Sequence, residues 1–203
     1  MIKKTILLFP FLMISTLGWS QEFSSRTFHK GWLVTDENDT ISGTLKYDMD
    51  ANAVQVVVGE KRIKTYSSKD ILYFEIYDGV LKSYRQFYAI PYAIRSNYKA
   101  PIIFEVLYEG PLSLLVREKI IITTDPYSQS YYNSPSVSRE SLSFTYYFVD
   151  TKGKMTLFSG KKAHLYEIMF KKAEKVKTYI KTNKLDADEM RDLVRITAFY
   201  NSL

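Results

Sequence analysis

The carboxylates are the residues of this sequence whose spacing could support catalysis. Glu75 and Asp78 lie on or beside one predicted strand, and Glu105 and Glu109 flank another. Two carboxyl groups about 5 to 10 Å apart can hydrolyse a glycosidic bond, one as the acid and the other as base or nucleophile. Glu75 lies between apolar neighbours, where burial would suit it to act as the acid. The alternative interpretation is that these carboxylates are charges on the solvated face of an antiparallel sheet.

Motifs for other kinds of chemistry are missing from the sequence. The two histidines, His29 and His164, have no second ligand at the spacing of a metal site, so each is interpreted as an incidental surface or interface residue. There is no Gly-x-Ser-x-Gly elbow, no phosphate-binding glycine loop and no His-Glu-x-x-His. The sequence therefore predicts no catalytic residue, no metal and no cofactor, although a serine triad assembled from distant segments stays open.

A polar segment rich in tyrosine is the candidate binding element. Over residues 124–141 the composition shifts to Ser, Tyr, Asn and Pro, and a segment this long without regular structure is usually functional or disordered. Tyr127, Tyr131, Tyr132 and Asn133 combine apolar ring area with hydrogen-bonding groups, a mixture suited to contacts with a glycan or a protein. The sequence predicts a binding loop here, with a flexible loop tip as the open alternative.

The N-terminus has the pattern of a cleavable signal peptide. Lys3 and Lys4 precede an apolar run over residues 6–17, and small residues lie ahead of a cut between Ser20 and Gln21. The apolar run is shorter than the about 20 residues that cross a bilayer, so no transmembrane helix is expected after cleavage. The chain has no cysteine, which excludes a lipid-modified cysteine anchor. We expect an exported protein, periplasmic or extracellular, and not a lipoprotein.

Removal of the signal peptide at residues 1–20 would leave one mostly β domain over residues 21–203, a size suited to a single core. The net charge falls from +6 to +4 when Lys3 and Lys4 leave with it. Much of the remaining excess lies in the helical tail, at Lys161, Lys162, Lys171, Lys172, Lys175, Lys177, Lys181 and Lys184. Such a run could contact anionic lipid, nucleic acid or acidic glycan. A solvated helix face is the simpler interpretation, and export disfavours nucleic acid.

Alternating apolar residues and turn formers predict about eight to ten antiparallel strands, forming a sheet or a partly open barrel. Asp78-Gly79 is the strongest hairpin signal because both residues tolerate the positive φ of a two-residue type I′ turn. Pro91 and Pro101 enclose a stretch that is expected to be less regular. The strand tyrosines are expected to be half-buried sheet residues; these are Tyr73, Tyr77, Tyr84, Tyr88 and Tyr146.

Helical periodicity replaces strand alternation over about residues 159–203. Apolar residues over 163–180 fall on one stripe, with Ser159 as the predicted N-cap. Asp186, followed by Glu189 three residues on, predicts the start of a second helix. The predicted class is α+β: an antiparallel sheet followed by two C-terminal α-helices.

Several short stretches resemble a family of exported Bacteroidota proteins of unknown function. They are residues 31–35 (GWLVT), 39–45 (DTISGTL), 65–67 with 70–71, 104–111 (FEVLYEGP) and 200–201. The resemblance spans most of the mature chain and implies no activity for any residue. The leading hypothesis is a noncatalytic protein that binds a protein or glycan in the cell envelope. A carboxylate-dependent hydrolase of envelope or dietary glycan is the alternative.

Overall fold

The computed structural model describes residues 22–59, 62–95, 98–124 and 138–203. The expected signal peptide over residues 1–20 lies outside these ranges. The candidate binding residues Tyr127, Tyr131, Tyr132 and Asn133 also lie outside the described residues. Both expectations therefore stay predictions.

Ten strands and three α-helices make up the described chain. The strands are β1 (His29–Thr35), β2 (Thr40–Asp48), β3 (Ala53–Val58), β4 (Arg62–Ser67), β5 (Ile71–Asp78), β6 (Ser83–Arg95), β7 (Tyr98–Tyr108), β8 (Leu112–Thr124), β9 (Ser138–Asp150) and β10 (Met155–Leu157). The helices are α1 (Lys162–Ile168), α2 (Ala173–Thr182) and α3 (Met190–Ser202), and 3₁₀ turns lie at Ser24–Arg26 and Phe170–Lys172. The architecture is α+β, as predicted.

All ten strands belong to one antiparallel sheet in the order β10-β9-β8-β7-β6-β5-β1-β2-β3-β4. The sheet is open, with β10 and β4 as its edges. It is also strongly curled, because β2 and β8 are five strand positions apart, about 24 Å in a flat sheet. Nevertheless Tyr47 of β2 and Glu118 of β8 form a hydrogen bond of 2.5 Å. The sheet therefore folds over its own inner face without closing.

The turn between β2 and β3 fills an opening in the sheet. β7 and β8 separate beyond the pair formed by Glu105 and Val116. The side-chain oxygen of Asn52 accepts hydrogen bonds there from the Ile103 N–H at 3.2 Å and from Arg117 at 2.9 Å. Asn52 has a φ of +50°, which asparagine tolerates better than most residues. Asn52 thus connects the β2–β3 turn to β7 and β8 and stabilises the curled sheet.

Two apolar cores cover the inner face. The first lies inside the curl and includes Leu33, Leu45, Tyr47, Val54, Val56, Phe74, Ile76, Phe87 and Ile103. The second lies between β8, β9 and the helices and includes Leu114, Val116, Phe148, Leu165, Met169, Val176, Ile180, Leu193 and Ile196. Both sets follow from period-2 alternation in the strands and helical spacing in the tail.

The predicted number of two C-terminal helices is wrong, because a 3₁₀ turn divides the first helical stretch into α1 and α2. Met169, at the end of α1, has φ −96° and ψ +25°. The buried residues Leu165, Val176 and Ile180 keep a helical spacing across the break, so apolar periodicity cannot reveal it. The break leaves Phe170 71% exposed.

The predicted helix caps are also displaced. α1 begins three residues after Ser159, whose N–H and hydroxyl lie 3.2 and 3.0 Å from Nδ1 of His164. α3 begins at Met190, and the N–H of Asp186 donates to the carboxylate of Asp192 at 2.9 Å. In both places a side chain within the helix, His164 in α1 and Asp192 in α3, accepts a hydrogen bond from the N–H group of the residue predicted as the cap.

The two-residue turn predicted at Asp78-Gly79 is wrong. Residues 79–82 form a four-residue connection between β5 and β6. Oδ1 of Asp78 accepts the N–H groups of Val80 and Leu81 at 2.9 and 3.0 Å, which shapes the longer connection. Lys82 has a φ of +55°.

Two stretches expected to be irregular are strands. β6 and β7 continue through Pro91 and Pro101, which lie opposite each other; proline is tolerated where the ladder does not need its nitrogen as a donor. Residues 138–141, assigned to the polar loop, belong to β9, where Ser138 pairs with Thr124. Residues 138–140 are exposed, so this part of the strand shows no apolar alternation.

Candidate functional site

A buried arginine lies at the centre of the inner face. Nε and Nη2 of Arg85 donate to the two oxygens of Glu105 at 2.8 and 2.6 Å, and Nη2 also donates to Glu118 at 2.9 Å. Nη1 donates to Asp78 at 2.9 Å and to the Tyr47 hydroxyl at 2.7 Å. Tyr47 in turn donates to Glu118. We call these five buried residues the Arg85 cluster; all five guanidinium N–H groups are used.

The Arg85 cluster takes one residue each from β2, β5, β6, β7 and β8. Strand alternation places these polar residues among apolar ones on the inner face, with Arg85 opposite Ile76 and Glu105 opposite Phe87. Charged hydrogen bonds in a low-dielectric interior are strong and directional. The cluster therefore joins five strands across the curl.

The charges of the cluster are unequal, since three carboxyl groups surround one guanidinium. Burial raises the pKa of Glu105 above its usual value in spite of its contact with Arg85. Burial also acts to raise the pKa of Asp78, but hydrogen bonds from Ser24, Leu81 and Arg85 outweigh it and hold that pKa below its usual value. Burial acts to lower the pKa of Arg85, but its carboxylate partners raise it overall, so Arg85 stays charged.

His29 lies beside this cluster and is 4% exposed. Its Nδ1 accepts the Gly79 N–H at 3.2 Å, and its Nε2 lies 2.8 Å from the carbonyl oxygen of Ser24. This pattern fits the neutral ring with its proton on Nε2. Nδ1 is 3.9 Å from the Asp78 carboxylate. The interpretation of His29 as an incidental surface or interface residue is wrong, because it is a buried structural group.

A cleft of about 550 Å³ opens beside the cluster, between β2, β8 and the first 3₁₀ turn. Tyr47 and Glu118 reach its lining. Its other charged lining residues are Arg26, Lys46, Lys119, Asp48 and Asp50. Tyr47 and Arg85 each bind one oxygen of Glu118. The three basic and three acidic residues of the lining therefore balance in charge.

The structure separates the carboxylates that the sequence pairs. Glu75 lies on the outer face of β5, where it accepts a hydrogen bond from Gln86 at 2.8 Å. Asp78 and Glu105 face inward, and Glu109 is exposed in the turn after β7. Glu75 and Glu105 lie on opposite faces of one sheet, so they cannot act together on one bond.

Sequence reasoning missed the roles of Arg85, Glu118 and Tyr47. A signal for the first two exists, because Arg85 shares its strand phase with Phe87 and Glu118 shares its phase with Val116. A charge in the phase of buried apolar residues marks a buried ionic group.

Aromatic side chains cover the outer face of β1, β5 and β6. They are Trp32 from β1, Tyr73 and Tyr77 from β5, and Tyr84 and Tyr88 from β6, with Glu75 and Gln86 between them. We call these seven residues the outer aromatic surface. Directly opposite each other are Tyr73 and Tyr88, Glu75 and Gln86, and Tyr77 and Tyr84.

The rings of this surface contact each other in pairs. Tyr73 and Tyr88 stack with centroids 5.3 Å apart, and Trp32 meets Tyr73 edge-on at 5.2 Å. Tyr77 and Tyr84 meet edge-on at 5.1 Å. Tyr84 is 72% exposed and Tyr77 41%, whereas Tyr146 is 9% exposed and belongs to the second core. The expectation of half-buried tyrosines is therefore wrong for Tyr77, Tyr84 and Tyr146. A group of partly and fully exposed aromatic rings is typical of an interaction site.

Comparisons with protein-family models, curated proteins and solved structures give no match for this chain. Each helix in the described ranges is too short or too polar to span a bilayer. Within the same ranges, no group of His, Asp and Glu side chains is arranged to hold a metal ion.

Proposed function

We propose that this chain is an exported, noncatalytic protein that binds a glycan or a protein of the cell envelope on its outer aromatic surface. The observation that carries the proposal is the exposed pair Tyr77 and Tyr84 beside the polar pair Glu75 and Gln86. Sugars present apolar ring faces edged by hydroxyls, and rings flanking an amide and a carboxylate match that chemistry. Export is supported by the signal-peptide pattern of residues 1–20.

The size of the surface favours an extended ligand. Tyr77 lies four positions after Tyr73 along β5, which corresponds to about 13 Å. The paired rings are carried by adjacent strands, about 5 Å apart. With Trp32 on β1 the rings span three adjacent strands, about 10 Å across, so the platform is larger than one sugar ring and suits an oligosaccharide.

The Arg85 cluster supports a noncatalytic role. Arg85 has no unused donor, and each carboxylate of the cluster accepts at least one hydrogen bond. A general acid or base must reach the reacting group of the substrate, and these groups are instead bonded to each other. The arrangement supports the sheet rather than a reaction.

A glycan array and calorimetry with Tyr84→Ala test the proposal. We expect wild-type protein to bind neutral oligosaccharides on the array. Tyr84→Ala should bind the same oligosaccharides at least about tenfold more weakly, as for the loss of a central aromatic contact. Tyr98→Ala is the matched control, because Tyr98 is 57% exposed on β7. Equal losses in both variants would contradict the proposal.

A protein ligand is the other form of the proposal and has its own result in the same design. In that case the array is blank, and a protein crosslinked to wild type in its native envelope is not captured by Tyr84→Ala. Capture that persists in Tyr84→Ala would place the contact elsewhere, with Tyr127, Tyr131, Tyr132 and Asn133 as the next candidates.

A further inference from the structure

A groove between α1, α2 and the start of the connection to α3 concentrates positive charge. Its volume is about 470 Å³. Its charged and aromatic lining residues are Lys162, Tyr166, Lys177, Lys181, Lys184 and Asp186. Four ammonium groups and one carboxylate give this lining a net charge of +3. We call it the basic groove.

Most of these lysines have no internal partner. Lys177 donates to Glu174 at 2.7 Å and lies 5.3 Å from the centre of the Tyr166 ring. Lys162, Lys181 and Lys184 are exposed and form no ion pair with a carboxylate of the described residues. Like charges brought together without partners repel each other. A bound anion would relieve that repulsion.

The backbone of Lys184 is a second, independent observation. Lys184 has a φ of +52°, and the next residue, Leu185, donates its N–H to the Ile180 carbonyl at 3.0 Å in a Schellman-type helix end. Glycine is the usual residue at this position because a side chain is unfavourable there. The favourable field at a helix C-terminus accounts for Lys181, but glycine would form the helix end better than Lys184. Lys184 therefore adds its ammonium group to the groove in spite of an unfavourable backbone conformation.

We propose that the basic groove binds a segment of anionic polysaccharide carrying carboxylate or sulfate groups. The groove is shallow and open to solvent, so a flexible polymer segment can lie along it with its anionic groups beside the four lysines. The Tyr166 ring in the wall offers an apolar contact for a sugar ring. The volume falls in the range of about 300–1,000 Å³ typical of small-ligand sites. The basic groove is separate from the outer aromatic surface, so this proposal does not depend on the proposed function.

Calorimetric titration of the full mature chain tests the proposal, with oligogalacturonate and a heparin oligosaccharide as probes. We expect wild type to bind at least one probe, with affinity falling as salt rises. Lys184→Gly should weaken binding about fivefold, the loss typical of one lysine contact, while thermal stability is unchanged or raised because glycine tolerates this φ. Lys175→Gln removes the same charge outside the groove and should change affinity less than about twofold.

Three results would overturn the proposal. The first is that wild type binds neither probe. The second is that Lys175→Gln and Lys184→Gly weaken binding equally, which would indicate an effect of net charge alone. Binding to anionic phospholipid vesicles without binding to either oligosaccharide would indicate a membrane surface. Tyr84→Ala should leave binding of the anionic probes unchanged. The proposal for the basic groove and the proposal for the outer aromatic surface can therefore be refuted independently.

Discussion

The Arg85 cluster and the outer aromatic surface lie on opposite faces of the same strands. The first buries charged side chains, and the second exposes aromatic ones. Tyr77 is exposed while its neighbour Asp78 is buried, and Tyr84 is exposed while its neighbour Arg85 is buried. An ordinary amphipathic sheet directs apolar residues inward and charges outward. At this end of the β5–β6 hairpin the arrangement is reversed.

The two faces differ in whether their side chains are already satisfied by contacts within the protein. Every buried side-chain nitrogen or oxygen among the described residues has a hydrogen-bond partner, so the inner charges are consumed within the protein. Burying ions carries a desolvation penalty that apolar packing avoids, so such a cluster is better suited to fixing one geometry than to maximising stability. The outer rings, by contrast, keep apolar area available. The inner face specifies the curl, and we propose that the outer aromatic surface receives a ligand.

Replacement of Arg85 should have the largest effect on the inner face. Arg85→Met leaves the carboxyl groups of Asp78, Glu105 and Glu118 without their cation, and we expect a loss of about 3–5 kcal/mol in the free energy of unfolding. Urea titration followed by circular dichroism measures it. Arg62→Met on edge strand β4, where Arg62 is exposed, is the control. A loss below about 1 kcal/mol for Arg85→Met would show that the cluster does not support the sheet.

Gly31 lies on β1, directly opposite Ile76 of β5. A Cβ at Gly31 would lie 2.1 Å from the carbonyl oxygen of Glu75, so Gly31→Ala must push the strands apart. We expect a loss of about 1–3 kcal/mol in the free energy of unfolding, as for overpacking. Gly79→Ala, where a Cβ meets nothing within 4 Å, should change it by less than about 1 kcal/mol. Similar losses in both would contradict the packing of β1 on β5.

The two shifted carboxyl groups should respond to pH in opposite directions. The raised pKa of Glu105 gives stability that is present below its ordinary value of 4.5 and is lost as pH rises through the folded-state pKa. The lowered pKa of Asp78 gives stability that is present above its ordinary value of 3.8 and is lost as pH falls through the folded-state pKa.

Urea titrations of Glu105→Gln and Asp78→Asn between pH 3 and pH 8 measure this contrast. The deficit of Glu105→Gln relative to wild type should shrink as pH rises above about 4.5, the usual range of a glutamate. The deficit of Asp78→Asn should shrink as pH falls below about 4. Parallel pH profiles for both variants and wild type would contradict the assigned directions.

Shortening the polar segment should have the smallest effect on stability. Thr124 and Ser138 are directly paired, so Asn-Gly in place of residues 125–137 can join β8 and β9 by a two-residue turn. We expect a change of less than about 2 kcal/mol in the free energy of unfolding, in the stabilising direction. Ligand capture that is lost here but retained in Tyr84→Ala would move the binding site from the outer aromatic surface to this segment.

The local hairpins of the sheet could be predicted from the sequence, because alternation and turn formers act within a few residues. β1 with β2 and β3 with β4 follow directly from those signals. The break at Met169 could not be predicted, because the apolar spacing continues through it. The inward orientation of the Asp78 side chain could not be predicted either, because its partner Arg85 lies on the next strand.

The candidate site is less predictable than the strands. The bond between Tyr47 and Glu118 joins residues 71 positions apart in the sequence and depends on the curl of the whole sheet. The alternation of Tyr73, Tyr77 and Tyr84 is visible in the sequence, but their exposure is not, because other residues of the same face, such as Phe104, are buried. Only the three-dimensional arrangement decides that.

The most direct test measures neutral-oligosaccharide binding and turnover at pH 7 for wild type, Tyr84→Ala and Glu105→Gln, each confirmed as folded. We predict that wild type and Glu105→Gln bind alike and release no product, whereas Tyr84→Ala loses affinity at least about tenfold. Product release by wild type that disappears in folded Glu105→Gln, with Tyr84→Ala still binding, would show that the inner face does the chemistry and would contradict the central claim.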